Sequence, residues 1–294
     1  MKILNFGSLN LDNVYSVDHI LKPGETLSSS EIKTFPGGKG MNQSIALAKA
    51  GVHVYHAGQI GNDGDILIEE CIKCNVDTEF IKKVDGKTGH AIIQVDKVGQ
   101  NSILLYGGAN STISNEYIDF VLNKFTKGDM ILLQNEINML DYIVDTAYEK
   151  GMKIILNPSP YNDKLKGIDF KKVSMFLINE VEGEQMTGKT QTDEILRTIK
   201  EKYKGAQVVL TLGGNGAIYQ SEDKCISQGV YKVETVDTTA AGDTFTGYVI
   251  ASIVRGEPIE KGLEFAAKAS AITVSRKGAA PSIPYRNEVE NFIY

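Results

Sequence analysis

Along this chain, short and nearly continuous apolar runs alternate with longer stretches in which apolar residues recur every three or four positions. KILNFGS (2–8), HVYHAGQI (53–60), MILLQ (130–134), KIILN (153–157), SMFLIN (174–179) and QVVLTLG (207–213) are of the first kind. They suit strands buried on both faces of a parallel sheet. The second kind comprises GMNQSIALAKA (40–50), DGDILIEECIKC (63–74), SNEYIDFVLNKF (114–125), MLDYIVDTAYEK (139–150), TDEILRTIKEKY (192–203), DTFTGYVIASIVR (243–255) and IEKGLEFAAKASAITVS (259–275). Those are amphipathic helices, and their alternation with strands predicts an α/β fold with helices on both sides of a mostly parallel sheet. Two segments break the rhythm: residues 12–36 and 88–108 alternate polar and apolar positions with no helical period. They predict antiparallel hairpins outside the main sheet, a small β lid. No low-complexity linker, charge block or repeat divides the 294 residues, so one domain spanning 1–294 is expected.

Composition narrows the partners. Thirty-one Lys and Arg against 37 Asp and Glu give a net charge of -6, which argues against holding a nucleic acid along the surface. A small anion is still compatible, because free amides at a helix start bind phosphate without any basic surface. No apolar run reaches the ~18 residues of a membrane span, and the first residues carry no export signal, so a cytoplasmic protein with no membrane partner is expected. Cys71 and Cys74 form a single C-x-x-C inside a helical pattern, without a second pair or a nearby histidine, and read as reduced structural thiols.

One phosphate-binding pattern occurs letter for letter: GEQMTGKT, with Gly183, Gly188, Lys189 and Thr190, satisfies G-x-x-x-x-G-K-[ST]. Glu180, Glu182 and Glu184 would crowd like charge around the phosphates, and NEVEGEQMTG reads better as a short helix ended by Gly188. A stronger signal is VDTTAAGDTFTGYVIASIV (236–254), where Ala240, Ala241 and Gly242 allow close backbone approach and the apolar helix that follows points free amides at the same spot. Asp243 stands inside that anion pocket. It could take a proton from an attacking hydroxyl, or it could merely cap the helix. A second signal is FPGGKGMNQSIALAKAG, a glycine turn leading into a helix whose first turn carries Asn42 and Gln43. Asn10 and Asp12 follow the first strand, at the carboxyl end where open α/β sheets put their ligands.

Together these segments resemble the ribokinase branch of the PfkB carbohydrate kinase family over nearly the whole length. Gly37, Gly38, Gly40, Asn42, Ser44, Gly51 and Gly61 match the family's first signature, and Asp237, Thr238, Ala241, Gly242 and Asp243 match its DTxAGD motif. Asn179 and Glu182 match N-x-x-E, followed by TLGGNG (211–216) and RKGAAPSIPYR (276–286). The resemblance implies a three-layer ribokinase-like fold and an ATP-dependent kinase of a sugar, D-ribose first, with another sugar or a nucleoside as the alternative. It implies Asp243 as the base and the amides of Ala241, Gly242 and Asp243 as the seat of the γ-phosphate. Asn10, Asp12, Gly38, Lys39, Asn42 and Glu136 would bind sugar hydroxyls. Asn179, Thr211, Gly213 and Gly216 would line the ATP site, and Glu182 would organise Mg2+ through water. Asp237, Thr239, Thr273, Arg276, Gly278 and Ser282 match a monovalent cation site, an oxygen set that suits K+. The lid of relatives also forms a dimer interface, so a homodimer is expected. Departures fall at Met41, where alanine is usual, at YGGAN (106–110) in place of HAGAN, at Tyr248 after Gly247, and at Ala267.

Overall fold

A computed structural model describes residues 1–293. The chain opens with β1 (Ile3–Phe6), leaves the main sheet for β2 (Asn10–Ser16) and β3 (Glu31–Gly37), and returns through α1 (Lys39–Lys49), β4 (Val54–Ile60), α2 (Asp65–Lys73) and β5 (Asp77–Lys83). A second excursion supplies β6 (Gly89–Val95) and β7 (Asn101–Tyr106). The alternation then resumes with α3 (Asn115–Leu122), β8 (Met130–Gln134), α4 (Leu140–Glu149), β9 (Lys153–Asn157), β10 (Met175–Asn179), α5 (Glu180–Thr187), α6 (Thr192–Lys202) and β11 (Gln207–Thr211). The end of the chain adds β12 (Ala217–Gln220), β13 (Cys225–Gln228), α7 (Ala241–Val254), α8 (Ile259–Val274) and α9 (Arg286–Glu290).

Nine strands make one sheet in the order β13-β12-β11-β10-β9-β8-β1-β4-β5, parallel from β5 through β11. Each central strand is apolar at nearly every position because both faces are covered. Met130 and Leu132 of β8 pack into a core with α1, α2, α7 and α8, while Ile131 and Leu133 pack into a second core with α3, α4 and α6. The fold is thus the expected three-layer α/β type. The closing hairpin β12–β13 runs antiparallel, and neither it nor β5 stands out in the hydrophobic pattern, because edge strands carry shorter and more polar runs.

The two excursions form a separate sheet, β3-β2-β6-β7. Each hairpin is antiparallel, as the alternation predicts, but they meet through a parallel β2–β6 pair, so the lid is mixed and not wholly antiparallel. The pattern within a strand fixes its faces and carries no information on the direction of a partner brought from a distant part of the sequence. Pairing Asn10 with both Gly37 and Gly89 roots the lid at the carboxyl end of β1.

Candidate active site

The first turn of α1 lies against the end of β1. A Cβ on Gly40 would come within 2.3 Å of the Ser8 amide, so only glycine allows that approach, and Gly38 precedes the helix at φ 95°. Glu136, just past β8, ties the turn down: its Oε2 accepts from Ser8 Oγ and, at 3.0 Å, from the Lys39 amide. Burial pushes the Glu136 carboxyl up, against the pull of the Lys39 ammonium, Ser8 and the Lys39 amide. Burial likewise works against the Lys39 charge, but Asp243, Glu136 and Glu182 outweigh it and hold the ammonium above its ordinary value.

Asp12, on β2, points at the same space. A Cβ on Gly37 would fall 2.1 Å from its Oδ2, which explains the glycine opposite it. Its carboxylate has no hydrogen-bond or ion-pair partner among the described residues. Burial first, then the charges of Glu136 and Asp243, raise its pKa from 3.8 to about 7. An unpartnered, half-buried carboxylate of this kind suits a ligand that brings hydroxyl donors. Asn10 Oδ1 accepts from Asn110 at 2.7 Å, which leaves the Asn10 amide nitrogen unengaged.

On the other side stands the start of α7. Ala240 adopts a left-handed conformation, φ 60°, and turns the chain so that the helix amides face the cleft. Of the three amides expected to hold a phosphate, those of Gly242 and Asp243 have no partner among the described residues. The Ala241 amide is drawn to Thr238 O at 3.3 Å, a long bond that departs from the expectation of a free donor. Asp243 is buried. Its Oδ1 accepts from Gln43 at 2.8 Å and its Oδ2 from Asn42 at 3.2 Å, and Asn42 Oδ1 is left buried without a donor.

Two clefts meet here. A polar one of about 200 Å3 is lined by Lys39, Asn157, Ser159, Asn179, Glu182 and Asp243. A larger, mainly apolar one of about 600 Å3 lies between Gly213, Gly216, Val230, Tyr231, Phe245 and Ala267. Thr211, Thr238, Ala241 and Gly242 line both. Asn179 and Glu182 form a capping box on α5, with Asn179 Oδ1 accepting from the Glu182 amide and both Glu182 oxygens accepting from Asn179. Glu182 is buried in the polar cleft and is no solvated helix face.

Asp237 knits two loops behind the helix start: Oδ1 accepts from the Thr239 amide and hydroxyl, and Oδ2 from the Gly278 amide at 2.9 Å. Burial opposes its charge, but these donors prevail and hold the carboxyl below its ordinary value. The carbonyls of Asp237, Thr239, Arg276 and Gly278 accept nothing from the described residues, so oxygens stand ready there. The Thr273 and Ser282 side chains are already engaged, with Ala269 and Thr244 for the first and with Ala279 for the second. Among the described residues no cluster of three or more His, Cys, Asp or Glu side chains is placed to hold a metal.

Gly188 ends α5 at φ 71° with its amide on Glu184 O, and Lys189 is exposed, so the phosphate-loop lookalike is a helix C-terminus. Met41 and Tyr248 are fully buried, and the Tyr248 hydroxyl bonds Pro284 O, so these departures point into the core and not into the clefts. Sequence patterns do not single out Ser8, Asn110 or the 230–235 wall as site residues, whereas Thr238 of the DTxAGD match lines both clefts. The wall carries no chemical signature, and Ser8 and Asn110 act by holding Glu136 and Asn10.

A three-layer α/β fold with a carboxylate at a helix start, set between a polar cleft and a larger apolar one, is that of a small-molecule kinase. The chain belongs to the pfkB family of carbohydrate kinases, whose family model matches residues 1–286. It is 35% identical to a ribokinase of Staphylococcus aureus over 303 aligned positions, covering 98% of each chain. Among solved structures it is similar to a ribokinase from Thermotoga maritima, with TM-score 0.89 and 35% identity over 99% of this chain and 98% of that one. It is also similar to Arabidopsis thaliana ribokinase complexed with ribose and ATP, with TM-score 0.87 and 30% identity over 99% of each.

Proposed function

We propose that the chain transfers the γ-phosphoryl group of ATP to the 5-hydroxyl of D-ribose, with Asp243 as general base. The observation that carries this reading is the position of Asp243, a buried carboxylate beside two unpartnered amides where the two clefts meet. Asp243 takes the hydroxyl proton, the oxygen attacks the γ-phosphorus, and the bond to the β-γ bridging oxygen breaks as ADP departs. The amides of Gly242 and Asp243, and that of Ala241 once released from Thr238, stabilise the charge on the transferring group. Asp12, Glu136, Asn10 and Asn42 hold sugar hydroxyls around Gly38 and Lys39. The unpartnered Asp12 carboxylate and Asn42 Oδ1 supply acceptors that a polyol satisfies. Thr211, Gly213 and Gly216 border the cleft that suits the nucleotide, with Asn179 towards the phosphates.

Magnesium bound with ATP would neutralise phosphate charge, and Glu182 would hold it through water, in keeping with the few protein ligands that ion takes. The carbonyls of Asp237, Thr239, Arg276 and Gly278 form an oxygen set fit for K+, which would brace the loop before α7, whereas the Thr273 and Ser282 side chains would contribute to that loop's packing. Ile103, Leu104, Leu105, Tyr106, Ile32 and Phe35 leave the lid with exposed apolar surface, in support of a homodimer through that sheet. No helix among the described residues is long and apolar enough to cross a membrane. We read the chain as one cytoplasmic domain.

A sugar-dependent ADP-release assay over pentoses, 2-deoxyribose, hexoses and nucleosides, in K+ and in Na+, tests the proposal. Ribose wins, Na+ slows turnover, and Asp243→Asn loses about 10²-fold or more. A nucleoside preferred tenfold, about 1.4 kcal/mol in transition-state binding, overturns the substrate, and a fully active Asp243→Asn overturns the base.

A further inference from the structure

Behind Asp243 runs a chain of buried amides whose orientation is fixed from both ends. Asp243 is an acceptor, so Gln43 presents its NH2 to Oδ1 at 2.8 Å and turns its own Oε1 inward. That oxygen accepts from Gln134 Nε2 at 2.6 Å, and the same nitrogen donates to Asn5 Oδ1 at 3.0 Å. Asn5 in turn directs its NH2 to Gly40 O at 2.6 Å and to Ser44 Oγ at 2.8 Å. A carbonyl can only accept, so Gly40 sets the polarity at one end as Asp243 does at the other, and Gln134 bridges two oxygens with one NH2 group. Asn5, Gln43, Ser44, Gln134 and the adjoining His56 are all fully buried. Gly7 makes room for the bridge, since a Cβ there would sit 2.3 Å from Gln134 Oε1. Gln134 Oε1 itself has no donor, so the network accepts an unsatisfied buried oxygen in exchange for a fixed donor direction.

We propose that Gln43, oriented by Gln134 and Asn5, is a positioning residue that holds the Asp243 carboxylate aimed at the acceptor hydroxyl. The inference rests on the reading of Asp243 as the base. The NH2 that Gln43 donates fixes the direction of the Asp243 carboxylate, and Gln43 freed from Gln134 can rotate its carbonyl towards Asp243 instead, so that oxygen faces oxygen and that hold is lost. Cutting the relay therefore lowers kcat, while the sugar and ATP sites keep their contacts.

The experiment uses Gln134→Met and Gln43→Met, which keep side-chain length in two different elements, with Asp243→Asn alongside. Expected for both methionine variants are a fall of about tenfold or more in kcat with KM for sugar and ATP within about threefold, a split that loss of folding or of binding would not give. Gln134→Met is the sharper arm because its side chain contacts Gln43 and not Asp243. Unchanged kcat in both, with Asp243→Asn inactive, overturns the relay and leaves the base intact. An active Asp243→Asn overturns the base reading itself. Loss of sugar binding by calorimetry in both methionine variants overturns the positioning role in favour of a purely structural network.

Discussion

Replacing Asp12 by asparagine tests the sugar-binding side of the site through stability and activity at once. The Asp12 pKa stands at about 7 in the folded protein against an ordinary 3.8. Between those values the folded state binds the proton and the unfolded state does not, so stability from this group is full below 3.8 and is lost as pH rises to about 7. About three pH units at 1.36 kcal/mol each amount to about 4 kcal/mol at pH 8, of which about 2 is already lost at pH 5. The asparagine side chain cannot ionise. The advantage of Asp12→Asn over the parent therefore grows by roughly 2 to 3 kcal/mol from pH 5 to pH 8. With an unfolding entropy of about 0.6 kcal/mol per degree for a chain of this length, that is a melting-temperature gap wider by about 4 °C. Differential scanning fluorimetry of the ligand-free proteins at the two pH values reads it. The same variant loses the charged acceptor for sugar hydroxyls, worth about 1.5 to 3 kcal/mol, so kcat/KM for sugar falls roughly 10- to 150-fold. In the parent, kcat/KM for sugar rises through pH 7 as the carboxylate ionises, and in Asp12→Asn that rise disappears. A gap that stays constant with pH refutes the burial argument, and a kcat/KM within threefold of the parent refutes the sugar role.

Gly242→Ala separates function from folding, because a Cβ there meets nothing of the protein within 4 Å and enters the space shared by the two clefts. Its melting temperature is expected to hold while kcat/KM for ATP falls about 10²-fold, the scale of losing one anion-hole donor, and near-parent activity would remove the amides from the phosphate seat. Lys189→Ala keeps kcat within about twofold in the ADP-release assay, since Lys189 lies exposed beyond the end of α5. Inactivation of that variant would restore the phosphate-loop reading.

The helices and central strands were legible because burial on one face or two leaves a period in the sequence, and Gly188 was legible as a helix end because a left-handed turn favours a glycine there. The DTxAGD helix start and the glycine turn at 37–40 were legible because close backbone approach demands small residues in a fixed order. What escaped depends on contacts across the chain. Nothing near Asn10 in sequence announces Asn110 as its partner, and nothing near Gln43 announces Gln134. The parallel β2–β6 pair joins hairpins whose own alternation is the same whichever way they meet. The state of the Ala241 amide turns on a few tenths of an ångström from Thr238 O, which no residue pattern encodes.

The charges of the site explain why amides and cations, and not a basic surface, suit its ligands. Asp12, Glu136 and Asp243 converge on a space where Lys39 is the facing cation, and the field of Asp243, Glu136 and Glu182 keeps Lys39 charged despite its burial. A tetra-anionic nucleotide approaching Asp243 meets like charge. A second lysine in that space would pair with the carboxylates and weaken the base, whereas amides and a helix dipole stabilise phosphate oxygens without neutralising Asp243. A sugar adds no charge, and in the proposed binding mode its hydroxyls would donate to Asp12 and to Asn42 Oδ1, two acceptors the protein leaves without donors. Sugar binding at the proposed site would thus relieve the cost of the half-buried Asp12 carboxylate first. Stabilisation of the ligand-free protein by ribose should accordingly be larger at pH 8, where Asp12 is ionised, than at pH 5, and this ordering links the same carboxylate to both recognition and stability.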